Sequence, residues 1–142
     1  MKLLIIPNNL NQIEDPNIDG FIIGVKGLCV NVNLELSVAE INSLNTSKEI
    51  FVALNKNIHN ADLEYLEEVM RSLKNIKGVL YYDAAVVSLY QKISPSYALV
   101  WSQEHFTTNY LTCNYYNESG CKYAYLSGEI TLKEIFQIMA VP

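Results

Sequence analysis

Short, unbroken apolar runs separated by amphipathic stretches constrain this chain more than any other feature. The runs occupy residues 3–6, 21–25, 50–54, 79–82, 97–101 and 123–126. None alternates apolar with polar side chains, as a strand with one wet face would. Continuous runs of this length belong to strands buried on both faces of a parallel sheet.

The stretches between them read as helices. Ser37 stands three residues before Glu40, the spacing of a capping box, and Thr131 stands three before Glu134. Residues 61–74, capped by Asn60, place Leu63, Leu66, Val69, Met70 and Leu73 at three- and four-residue steps, a single apolar face. Further helices are predicted from Asp83 to about residue 93, where Ser94-Pro95 stops it, over about residues 106–116, and from Thr131 to about residue 139. Strands alternating with helices form βαβ units with parallel pairing. An open doubly wound sheet and part of a barrel both fit this order. No glycine-rich phosphate loop favours the first, because Pro7-Asn8-Asn9-Leu10 follows the first run.

Half of the 142 residues are hydrophobic and 18% are charged, enough for one globular domain over residues 1–142 with no linker. The net charge of −5 argues against nonspecific nucleic-acid binding, which calls for a basic face. Cys29, Cys113 and Cys121 show no CxxC spacing, so neither a metal site nor a disulfide framework is expected. The apolar start is too short for a signal peptide and no run approaches a membrane span. A cytoplasmic protein with reduced thiols and no membrane contact is the expectation.

If the strands are parallel, the polar residues trailing them gather on one rim. Those residues are Asn8, Lys26, Asn55, Lys56, Asp83, Ser102, Gln103, Glu104, His105, Ser127 and Glu129. Asp83 reads first as a helix N-cap and second as a binding or acid–base carboxylate. His105 has the chemistry of a general base or ligand, although a lone loop histidine is more often neither. Cys113 lies in a helical, aromatic setting that favours packing over nucleophilic work. Of the ten tyrosines, those in strands read as core.

The order of these motifs resembles the N-terminal barrel of the collagenase-like peptidases, peptidase family U32. The resemblance is carried by residues 17–24 (NIDGFIIG), 51–59 (FVALNKNIH), 78–83 (GVLYYD), Trp101-Ser102-Gln103 with Asn109, and 126–130 (LSGEI). It implies a parallel (β/α) barrel of TIM type, incomplete here with about six βα units. It implies a peptidase or a fragment of one, acting on peptide or protein, with Asn55, Asp83, Gln103, Asn109, Glu129 and His105 as candidate substrate-facing residues. Gly128 stands where the family has arginine, and the turn after the first strand differs. In some relatives a later cysteine cluster holds an iron–sulfur group serving hydroxylation of RNA or quinone precursors. That segment has no counterpart here, so no cofactor is carried over. Two other readings stand beside the peptidase. One is a non-catalytic assembly module whose open barrel edges self-associate into a homo-oligomer. The other is a relative of the RNA-hydroxylation branch, with nucleic acid disfavoured by the acidic balance.

Overall fold

The structure is a computed structural model that describes residues 2–103 and 105–141. Among the described residues, seven strands form one sheet: β1 (Leu4–Ile5), β2 (Gly20–Val25), β3 (Glu35–Leu36), β4 (Glu49–Leu54), β5 (Gly78–Tyr81), β6 (Ala98–Trp101) and β7 (Cys121–Ala124). Every pairing is parallel, in the order β1-β2-β4-β5-β6-β7. The short β3 pairs with the far end of β2, on the edge that β1 occupies at the near end. Helices α1 (Val38–Asn42), α2 (Leu63–Ser72), α3 (Ala84–Ile93), α4 (Tyr110–Glu118) and α5 (Leu132–Met139) fill the connections. Strands that follow one another in chain order and all run the same way, with helices between, make a half-barrel. The expected incomplete TIM-like architecture is therefore the one observed.

Both faces of the sheet are apolar, which explains the unbroken runs. Phe21, Ile23, Val25, Val52, Leu54, Val79, Tyr81, Leu99 and Trp101 face outward into the main core, where Leu66, Val69 and Met70 of α2 meet them. The alternate residues Ile22, Phe51, Ala53, Leu80 and Val100 face the concave side, joined by Val32. Small residues let the layers approach. A methyl group at Gly24 would overlap Cys29 Sγ, and one at Gly20 would lie 2.5 Å from Glu49 O. These positions accept no side chain without a shift of backbone or core.

Both capping boxes form. The Glu40 carboxylate accepts from Ser37 N at 2.7 Å, and the Glu134 carboxylate accepts from Thr131 N at 2.7 Å. Polar clamps fix the outer layer. The Asn42 side chain donates to Ser72 O and accepts from Lys74 N, both at 2.8 Å, tying the end of α1 to the end of α2. The buried Tyr97 hydroxyl donates to Met70 O at 2.7 Å. Each such bond contributes about 1 kcal/mol net and would cost more if one partner were removed.

Four details depart from expectation. The long helix is preceded by a 3₁₀ turn, Asn60–Asp62, so its α-helical part is shorter than residues 61–74. Helix α4 begins at Tyr110 because the Asn109 side chain accepts from Thr112 N at 3.0 Å and caps it there. The last strand lies two residues earlier than the apolar run, and β3 was not foreseen.

Candidate functional site

Parallel pairing carries every strand to the same end of the half-barrel, and period-two alternation decides which trailing side chain points inward. Continuing the concave positions past the strand ends gives Asn55 after Ala53, Tyr82 after Leu80, Ser102 after Val100 and Tyr125 after Tyr123. These four, with Asn31, Val32 and Ile6, line a hollow of about 70 Å³ at the mouth. Below it lies a hollow of about 360 Å³, lined by Leu4, Ile22, Phe51, Leu80, Val100 and Tyr123, among others. Ile22, Leu80 and Tyr125 border both, so the two are levels of one concave interior. At the lower end Glu49 accepts from Lys2 at 2.5 Å and pairs with Lys77 at 3.4 Å.

Asn55 is buried and already engaged. It accepts from Val30 N at 2.9 Å and donates to Val30 O at 3.1 Å, holding the loop after β2 against the mouth. Within that loop Asn31 takes a left-handed conformation, φ 56°, a region asparagine tolerates better than most residues. The hydroxyls of Tyr82 and Ser102 make no hydrogen bond among the described residues. The mouth thus offers two uncommitted hydroxyls above an apolar floor, a combination suited to a flat group with polar edges.

The other expected rim residues do different work. Asp83 accepts from Ala85 N at 2.8 Å through one carboxylate oxygen and from Ile58 N at 2.9 Å through the other. It therefore caps α3 and ties down the loop after β4. Asn109 caps α4. His105 and Glu129 are exposed, and Gln103 is half-buried. None of these five lines the mouth hollow. Glu104 lies outside the described residues. Ser127, buried, ties the last two loops together by donating its N–H to Thr107 O at 2.9 Å. Tyr82 and Tyr125, whose strand-like sequence setting suggests packing, stand at the opening, where counting in twos from the inward-facing positions places them.

The thiols do not form a reactive or ligating set. Burial and the neighbouring Glu35 push the Cys29 thiol up to about 12. Burial raises Cys113 and Cys121 as well, and Cys121 sits 2.9 Å from the Tyr81 hydroxyl. All three are free. Among the described residues no cluster of three or more His, Cys, Asp or Glu comes together. These thiols, spread over the loop after β2, helix α4 and strand β7, do not fit an iron–sulfur ligand set. No helix among the described residues is long and apolar enough to cross a membrane.

Comparison with known proteins supplies the remaining facts. Residues 31–141 match the family described as Peptidase family U32. The tRNA hydroxylation protein P2 of Bacillus subtilis (strain 168) is 30% identical over 92 residues, which are 63% of this chain and 30% of that protein. The match therefore spans under a third of the relative's length. No solved structure matches the chain significantly.

Proposed function

We propose that this chain, which belongs to peptidase family U32, serves the family's RNA-hydroxylation branch, its mouth and the larger hollow beneath it together receiving a single unstacked nucleobase. The observation that carries the reading is the 30% identity to a tRNA hydroxylation protein. The mouth supports it. A base presents a flat apolar face with donors and acceptors on its edge. The Tyr82 and Ser102 hydroxyls can bond that edge while the ring of Tyr125 supplies stacking surface. This chain's own contribution is to bind and orient the base.

The acidic balance shapes the mode of binding. With a net charge of −5 the chain repels phosphate, so base contacts, rather than the RNA backbone, supply its affinity. A shallow dependence of binding on salt follows.

The peptidase expectation rests on the family's name. Hydrolysis needs a nucleophile within hydrogen-bond reach of a base. Ser102 is at the mouth, but the exposed His105 makes no bond to it, and both carboxylate oxygens of Asp83 are taken by backbone N–H groups.

The test is nucleoside mass spectrometry of tRNA from cells lacking this chain. Loss of one hydroxyl group from one nucleoside, restored by the wild-type chain but not by the double variant Tyr82→Ala/Ser102→Ala, supports the proposal. An unchanged nucleoside profile, together with peptide hydrolysis by the purified protein, overturns it in favour of the peptidase.

A further inference from the structure

Helix α5 is built like a core helix but covered like a surface one. Leu132, Phe136 and Met139 recur at four- and three-residue steps, yet they are 66%, 60% and 71% exposed. The neighbouring α4 adds Leu111 and Tyr115, also largely exposed. A whole aromatic side chain covers about 150–250 Å², so the exposed portions of these five amount to several hundred Å². That approaches the roughly 800 Å² that one partner contributes to a standard interface. It also exceeds what scattered surface residues of a monomer present.

We propose that this face is the interface between two copies of this chain, with α5 packed antiparallel against α5 of the second copy about a two-fold axis near Phe136. The charge pattern selects a second copy as the occupant. Two molecules of net charge −5 repel each other over most of their surface, but residues 105–117 contain no Asp, Glu, Lys or Arg. Helix α5 is itself balanced, with Lys133 beside Glu134. Lys133 occupies the first turn, where its own helix dipole disfavours a cation, and the last turn has no basic residue. Antiparallel pairing carries each Lys133 to the partner's uncompensated C-terminal turn, which satisfies both. Along the stripe, Phe136 meets Phe136 of the second copy and Leu132 meets the small Ala140, a self-complementary sequence of large and small contacts.

Sedimentation equilibrium of the full chain at micromolar concentration tests this, with Phe136→Glu and Lys133→Glu as variants. Because both positions are exposed, the variants keep the wild-type far-ultraviolet spectrum. The wild type is expected to be a dimer. Phe136→Glu raises its dissociation constant about thirtyfold or more, the effect of a hot-spot residue. Lys133→Glu raises it less, with an effect that fades in high salt. A monomer at every concentration overturns the proposal. So does a dimer indifferent to Phe136→Glu, which would place the contact elsewhere.

Discussion

Helices α2 and α5 carry nearly the same design and meet opposite fates. Each has an apolar stripe at helical spacing, and an acidic residue in its first turn. In α2 the stripe is sealed: Leu66, Val69 and Met70 are at most 1% exposed against the strands and α3. Its polar edge is locked too, since Glu67 accepts from Arg71 at 2.7 Å and from Lys92 of α3 at 2.9 Å. No residue of α5 is buried. The difference is one of position. Helix α2 has strands beneath it and a helix beside it, whereas α5 follows the last strand of the open sheet. An amphipathic pattern states that a face needs cover; it does not say where the cover comes from.

Substitutions should separate the two flanks. The largest effect is expected from Leu66→Ala, which opens a cavity in the sealed core and costs about 2–5 kcal/mol. Phe136→Ala should change the stability of the monomer by less than about 0.5 kcal/mol. Urea unfolding at low protein concentration measures both, and equal losses would erase the distinction. Gly20→Ala comes next, since its methyl would press on Glu49 O and the Leu4 side chain; overpacking of this kind costs about 1–3 kcal/mol. Gly128→Ala, with nothing within 4 Å of the added carbon, should be nearly silent in the same assay.

Caps give a finer comparison. Asp83→Ala leaves two backbone N–H groups without their acceptor and should cost about 1–2 kcal/mol. Thr131→Ala, on the flank that already lacks cover, should cost about 0.5–1 kcal/mol and show chiefly as fraying of α5 by nuclear magnetic resonance.

The smallest effect concerns acid. Hydrogen bonds from the Ser37 N–H and hydroxyl, with help from Lys26, hold the Glu40 carboxyl down at about 2, below its ordinary 4.5. A depressed folded value means that the cap's contribution is complete above the ordinary value. It is lost as pH falls from about 4.5 through about 2. Glu67 and Glu134 are lowered in the same direction by their own partners, Lys92 and Arg71 for the first, Thr131 for the second. An acid titration followed by circular dichroism should therefore be shallower for Glu40→Gln than for the wild type over that range. Superimposable curves would show that the capping box adds nothing to acid stability.

Much of this fold was legible because its local chemistry agrees with its topology. The unbroken runs at residues 21–25 and 50–54 announced strands covered on both faces, and the Ser37–Glu40 and Thr131–Glu134 pairs marked helix starts that form as expected. The same runs concealed the site. When both faces are apolar, a run such as residues 79–82 does not reveal which of Tyr81 and Tyr82 points inward. Tyr81 lies in the outer core and Tyr82 at the mouth. Expectation therefore settled on the polar residues trailing the strands, of which Asp83 and Asn109 are engaged as caps. Strand β3 escaped notice because Glu35-Leu36 is a two-residue pairing with no run to mark it. Exposure of α5 was equally invisible, since its pattern matches that of a buried helix.

Hydrogen–deuterium exchange, read along the chain at two protein concentrations, tests most directly the claim that one flank of this half-barrel is sealed and the other open. The amides of α2 should exchange slowly at both concentrations. Those of α5 should exchange quickly in dilute solution and slow down only as the protein is concentrated. Protection of α5 equal to that of α2 in the most dilute sample would contradict the account.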